Sequence, residues 1–544
     1  MADQLIPPWL RISATEPGFD SNTAASPSIF TKSVRSVGRT GDKVVVGLST
    51  QNASERETDP TLAFVKAHLG GRRGQANRVL YSPVGYRPRG AFSTLAVELL
   101  PNNTFANGTT AWASNNGAFT AISASDRRLR MLRVANNAAT SPTVLCSSPT
   151  AAVLYAPYVA RVFGSSGRGG MVWDMRIRDH SDSSITYATT PSSQTSPGML
   201  TCAGVPYDTD PTVGIIDRAS GKIAGDYMDV EYASLARCAL VDNGTNLGLH
   251  SDDFTNTGAW GALTANGLSG VTANAATAPD GTATADSLIE NSSASSHYRT
   301  QAVTVSSAAA DYSFAIAVKA GARGFAQIVL TENTGATSAL VFINLSTGAL
   351  STADVTPAAN WSNPRAFVKS MGDGWYYVCL VARKTNAATS ISERIGLASS
   401  LTVNSYTGDG TSNILVWRAT PAPSSVPTRL VLTTTTASTG TNQTGSALHV
   451  KGLPESTSGL LLMSDWVGSG KQLCMVTQSL DSDAAGLGYL QLAYPPRVSP
   501  PDNDPIIVHE PMGRFVAVEN RATWQERPGI VADFDYALIE ALDE

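Results

Sequence analysis

Few residues in this chain have the type and spacing to do chemistry. There are six histidines, His68, His180, His250, His297, His449 and His509. None stands at the H-x-x-x-H spacing that puts two imidazoles on one helix face, so a zincin-type metal site is excluded. Residues 467–472 (VGSGKQ) end like a phosphate loop. The full motif needs Gly where Asp465 stands and Ser or Thr where Gln472 stands. There is no G-x-S-x-G elbow, and no G-x-G-x-x-G follows a strand. Glycosidases need two carboxylates, and three pairs qualify by proximity: Asp252 with Asp253, Asp280 with Asp286, and Asp533 with Asp535. Neighbours on a strand point to opposite faces, so Asp252 and Asp253 cannot line one cleft there. Asp280-Gly281 is a turn signal first. Asp533 and Asp535 read as exposed acids of a terminal strand.

Two binding chemistries remain. Asp252, Asp253, Asp280 and Asp286 offer hard oxygen ligands for calcium, although without EF-hand spacing; no other cofactor is expected. Trp260, His297, Tyr298, Trp375 and Tyr376 are the candidate glycan contacts, since a sugar ring stacks on aromatic faces. Alternation sends Trp375 and Tyr376 to opposite faces of their strand. The competing reading for all five is core packing. No catalytic constellation emerges, so turnover is not expected.

The elements that would position these residues are mostly strands. The chain has 544 residues, 15% of them charged, against a usual share of about 25%. Ser, Thr, Ala, Asn and Gly fill the deficit and suit β-surfaces and turns. The formal net charge of −5 argues against nucleic-acid binding, which needs a basic footprint. The start, MADQLIPPWLRIS, has no basic segment before an apolar run, and no stretch approaches the roughly 18 apolar residues of a membrane helix. Neither a secretory signal nor membrane insertion is therefore expected. The five cysteines, Cys146, Cys202, Cys238, Cys379 and Cys474, form no C-x-x-C pair and read as free thiols of a chain folded in a reducing cytoplasm.

Residues 1–29 show no period and read as an extended arm that orders against a neighbour. Residues 30–96 contain a strand (TGDKVVVGLS), a helix starting at Pro60 and running to Leu69, and a basic loop followed by VLYS and PVGYRPRG. Arg72, Arg73, Arg78 and Arg87 in this stretch read as charges of a protein–protein seam or a solvated loop. Residues 97–243 and 244–425 look like divergent copies of one unit. One opens LLPNNTFANGTTAW and the other LGLHSDDFTNTGAW, each with a polar turn, a Phe and then a Trp. Short alternating runs such as YSFAIAVKAG and GWYYVCLVARKT then indicate β-sandwiches. Residues 426–446 form a Thr/Ser-rich linker or arm. Residues 447–544 read strand after strand, with hairpin tips at Gly470-Lys471 and at residues 483–486.

On these residues the chain resembles known architecture. HSDDFTNTGAW, TAPDGTATADSLIE, YSFAIAVKAG, VFINLSTG, GDGWYYVCL and SYTGDGTSNILVWRA resemble the carbohydrate-binding-like jelly rolls of tailed-phage structural proteins. The strand ending WRATPAPSS departs from that family, which ends in a Gly-Ala-Gln-like sequence. GDKVVVGLSTQ, DPTLAFVKAHLGGRRGQANRVLY and YRPRG, with SGLLLMSDWVGSGKQLCMVTQSLDSDAAG and PIIVHEPMGRFVAVENRATWQERPGI, resemble the two halves of a distal-tail-like or minor tail (baseplate) protein. The resemblance implies a mainly β chain: a split N- plus C-terminal β-rich barrel or sandwich domain with one short helix, carrying two inserted jelly-roll sandwiches. It further implies a virion component of the tail tip, made in the host cytoplasm and assembled as a homo-oligomeric ring, most simply a hexamer. Its partners would be tail tube, hub and fibre proteins, with the sandwiches touching protein or host glycan. The alternative is a glycan-binding adhesin or a glycoside-hydrolase-like polysaccharide depolymerase. Segment lengths support the split: neither end is long enough to bury a core alone, and together they make a domain of ordinary size.

Overall fold

The computed structural model describes residues 78–541, apart from short internal stretches, and upstream of them the backbone of Asp3–Leu5, Ala14–Asp20, Thr23–Pro27, Val34–Gly38 and Lys43–Ala53. The expected helix at 60–69, with Arg72 and Arg73, lies outside the described residues. Apolar runs with period two become strands, and the chain is mainly β.

The two chain ends share a sheet. Lys43–Ala53 pairs antiparallel with Val531–Glu540, in the register Val46 to Leu538 and Leu48 to Tyr536. Gly513–Ala517 then lies between Val531–Glu540 and Arg78–Tyr81. The first residues are not a free arm. Asp3–Leu5 adds parallel to Arg78–Tyr81, and Ala14–Asp20 adds antiparallel to Lys43–Ala53, so they form the two edges of this sheet. Pro17 lies in the second of these edges, where a missing backbone N–H is tolerated.

A second sheet has the order 472–475, 466–469, 505–507, 239–241, 447–451, 488–491. Its hairpin Trp466–Ser469/Gln472–Met475 turns at Gly470, as the sequence indicated. The two sheets share one core, in which Tyr81, Phe515 and Leu538 meet Leu448, Val450, Leu473, Leu490 and Ile506. The YRPRG segment is tied into this body. Arg89 N and Nε bond the buried Asp465 carboxylate at 3.2 Å, and Tyr86 Oη accepts from Trp466 N at 2.8 Å. Gly90 lies so close to the other segment that a Cβ there would stand 2.3 Å from Gly459 O.

The first sandwich faces a five-stranded sheet (186–189, 173–179, 211–217, 143–146, 112–114) against another (198–204, 158–168, 227–237, 131–135, 118–122). The second opposes two six-stranded sheets. One has the order 268–276, 285–290, 413–422, 310–320, 375–384, 361–372; the other has 354–356, 338–344, 325–332, 390–398, 294–304, 405–407. Each has its own apolar core.

Two boundaries differ from the sequence reading. Ala239–Val241 leaves the first sandwich and becomes an inner strand of the base, paired with Ala447–Lys451 and with Pro505–Ile507. Its run Ala239-Leu240-Val241 is buried on both sides, which alternation alone could not assign. The strip 426–446, read from sequence as a linker or arm, is not loose. Val426, Thr428 and Thr433 are buried, Ser438–Thr439 pairs with Thr245–Asn246, and Tyr377 Oη donates to Thr428 O at 2.6 Å.

Candidate functional site

The duplicated openings fold alike at atomic detail. In each, a Trp indole N–H donates to a carbonyl ten residues upstream on a residue with positive φ: Trp112 to Asn102 (3.3 Å) and Trp260 to His250 (3.0 Å). Each Trp leans on the Phe before it, with ring centroids 5.3 Å apart for Phe105–Trp112 and 4.5 Å for Phe254–Trp260. Trp260 is thus a core residue of the sandwich corner and presents no platform.

The other expected glycan contacts do not converge on one surface. Trp375 is buried and donates to Thr277 O at 3.1 Å. His297 is buried with both ring nitrogens on carbonyls, Gly267 O at 2.5 Å and Tyr406 O at 3.2 Å. Tyr376 is half-buried on the sheet opposite to the one carrying Tyr298. Only Tyr298 lies on a face with further polar groups. Register places Tyr298, Gly396 and Gln327 side by side on three neighbouring strands. A Cβ at Gly396 would stand 3.2 Å from His297 O and 3.3 Å from Tyr298 Cβ, so glycine lets the side chains of the neighbouring strands close over this position. Arg394 stacks over the Tyr298 ring at 4.9 Å, and Asn404 Nδ2 donates to Gln327 Oε1 at 2.9 Å. An aromatic face beside amide donors can hold a flat polar ring. The sequence signal was there: Gln327 and Arg394 are polar interruptions of the apolar runs GFAQIVLTE and SISERIGLA.

Three of the four acids expected to hold calcium are engaged with the protein. Asp286 accepts Phe254 N at 2.8 Å and Asn274 N at 2.9 Å, and burial pushes its carboxyl up to about 6. Asp280 accepts from Thr282 and pairs with Arg418 at 3.2 Å. Asp253 bonds Thr255, and no group of three is formed from these four. Among the described residues the group of three acids close enough to share an ion is Asp179, Asp208 and Asp210 in the first sandwich. There Asp179 is already bonded by Ser181, Asp182 and Tyr187. Asp533 and Asp535 lie in the last strand of the base, with side chains outside the described residues.

A dense polar cluster that no sequence pattern announces sits where the first sandwich meets the base. Arg161, on strand Tyr158–Arg168, is buried. It donates to Glu510 O (2.8 Å), His509 O (2.9 Å) and Tyr232 Oη (2.9 Å). Tyr232 Oη donates in turn to Glu510 Oε2 at 2.8 Å. Beside it Glu98 Oε1 accepts Leu100 N (2.9 Å) and Leu235 N (2.8 Å), while Oε2 faces His509 Nε2 at 3.7 Å. Burial pushes the Glu98 carboxyl up to about 7 and depresses His509. Glu98, His509 and Glu510 line a cavity of about 350 Å3, with Arg87 exposed at its rim. Residues more than 340 positions apart meet here, so no local pattern could reveal them.

All five cysteines are buried and none forms a disulfide among the described residues, and burial pushes the Cys202 and Cys379 thiols up to about 12. No helix among the described residues is long and apolar enough to cross a membrane.

No family model matches the chain, and no curated protein matches it. Among solved structures it is similar to the N-terminal tandem of family-22 carbohydrate-binding modules of Paenibacillus barcinonensis Xyn10C, at 12% identity and TM-score 0.21, covering 61% of this chain and 98% of that one. It is also similar to the tandem family-51 modules of a family 98 glycoside hydrolase from Streptococcus pneumoniae, at 9% identity and TM-score 0.21, covering 76% and 100%. A third is a family-22 module with the catalytic module of a Clostridium thermocellum xylanase, at 13% identity and TM-score 0.20, covering 29% and 31%. Similarities of this size assign neither ligand nor activity to the chain.

Proposed function

We propose that the chain is an assembly and display protein of a virus tail tip, of the distal-tail type its sequence resembles, in which a base built from both chain ends carries two β-sandwiches outward. The observation behind this reading is the pairing of Lys43–Ala53 with Val531–Glu540. A base closed by its own termini fixes the exit points of both insertions, as a ring subunit must. Electron microscopy of assembled particles tests it. The expected image is a closed ring of this chain, six copies most simply, with radial knobs. Particles complete without it, or isolated rods and trimers, would end the reading.

The outer face around Tyr298, Gln327, Arg394 and Asn404 is the surface through which the second sandwich meets a glycan or a neighbouring protein. Binding of host polysaccharide lost on Tyr298→Ala would support glycan contact.

One observation favours a second reading, glycan cleavage. Glu98 and Glu510 line one cavity, and Glu98 is held in the range of a general acid at neutral pH. A reducing-end assay on host polysaccharide decides: release of ends by the wild type and none by Glu98→Gln would replace the assembly reading.

A further inference from the structure

A larger cavity lies on the other side of Arg161, between the edge strand Gly198–Gly204 of the first sandwich and the loop 501–505 of the base. Its volume of about 480 Å3 falls in the range of roughly 300–1,000 Å3 usual for small-molecule sites. The chemistry of its wall is specific. Asp504 presents a carboxylate that bonds no described residue, although its neighbour Asp502 is tied to Lys451 at 3.1 Å and to Thr245 at 2.8 Å. Asn503 spends its amide N–H on Pro423 O at 3.3 Å, which leaves its amide oxygen as an acceptor. Pro501 and Pro505 have no N–H, so this side of the cavity offers acceptors in excess. Arg161 stands in the wall as well. Its Nη atoms are committed to the base, and its buried Nε has no partner among the described residues. Thr189 and Thr201 add hydroxyls that both donate and accept. Leu80, Met199 and Met512 supply an apolar floor.

A cationic ligand would meet Arg161, and an anionic one would meet Asp504. A neutral molecule whose groups donate and accept together, on a carbon skeleton with an apolar face, satisfies both and the floor. We propose that this cavity binds a neutral polyhydroxylated ligand, a single saccharide unit or the end of a glycan, with Asp504 accepting from two adjacent hydroxyls. The desolvated carboxylate, which burial pushes up to about 6, gains most from such donors. The site lies between sandwich and base, away from the Tyr298 face. It deepens the glycan-contact part of the reading above and is independent of ring assembly.

Saturation-transfer NMR on the full chain, with glucose, galactose, mannose, rhamnose and N-acetylglucosamine as separate probes, tests the proposal. At least one sugar should give transfer to its ring protons. Asp504→Asn, which keeps shape, should weaken that binding at least about tenfold, and Thr201→Trp, which fills the cavity, should abolish it. Thermal melts of both variants check that they fold. A signal that survives both folded variants places the sugar elsewhere and overturns the seam site while glycan contact stands. Silence from all five sugars also overturns it and leaves the ring assignment to the particle images.

Discussion

Replacing Arg161 by Met should loosen the first sandwich from the base more than any other single change at the seam. Three of its hydrogen bonds, at 2.8 to 2.9 Å, cross from the sandwich to the 509–510 carbonyls or brace Tyr232, which itself holds Glu510. Bonds to a charged donor contribute about 1.5–3 kcal/mol each. The gross loss is therefore about 5–9 kcal/mol. Against it stands the relief of desolvating a buried guanidinium, several kcal/mol. Met has similar volume, so little cavity is added, but two carbonyls are left without donors. The net expectation is a loss of about 2–4 kcal/mol. A unit of some 200 residues then melts lower by about 5–15 °C. Calorimetry reads the melt, and hydrogen exchange locates it: amides of 505–513 should exchange faster in the variant while those of the second sandwich stay as they were. A change below about 0.5 kcal/mol, the size of an ordinary surface substitution, with unaltered exchange at 505–513 would refute the view that this guanidinium couples the two bodies.

Glu98→Gln should flatten the pH dependence of stability. Burial raises the Glu98 carboxyl to about 7 and that of Asp504 to about 6, so between pH 4.5 and 7 the folded chain binds more protons than the unfolded one, and stability falls as pH rises through that window. His509, depressed, works the other way below its ordinary value, so the wild-type minus variant difference in unfolding free energy from urea titrations is the quantity to measure; between pH 5 and 8 it should change by about 2 kcal/mol, and a pH-independent difference would sink the assignment. Gly90→Ala should cripple folding, because its methyl would stand 2.3 Å from Gly459 O and 2.5 Å from Leu460 O, both backbone atoms that cannot move aside; a soluble variant with an unchanged melt would contradict this. Glu393, fully buried with both carboxyl oxygens unpartnered among the described residues and its carboxyl held well above the usual range, should be better replaced by Met, with a gain of about 1–3 kcal/mol in chemical denaturation; a loss would reveal a partner for that carboxyl.

How much could be read from the residues alone depended on range. The period-two runs gave the β class. The Phe-and-Trp openings at 105–112 and 254–260 gave the duplication, because each motif is complete within about ten residues. Where function depends on which strands become neighbours, the sequence was mute. Trp260 and Trp375 fit both a sugar platform and core packing, because burial of an aromatic cannot be told from its type. Arg161, Glu98 and Glu510 went unnoticed, since their meeting is set by the docking of whole bodies. Gln327 and Arg394 were visible as polar breaks in apolar strands, yet only the register with Gly396 puts them beside Tyr298. The first residues lacked a period because they are sheet edges, one carrying Pro17, where alternation need not be kept.

The strand Ala239–Val241 has a consequence for how such a chain can be rebuilt. The polypeptide leaves the base at the first sandwich, returns to lay three residues between two base strands, and departs again for the second. The two sandwiches are therefore separate cassettes with four splice points. Excising 97–425 in one cut would take an inner stave out of the base and expose the edges of 447–451 and 505–507. Deleting 97–238 or 247–425 alone leaves that stave in place, so grafting a foreign module should succeed one cassette at a time and fail when the pair is exchanged as a block.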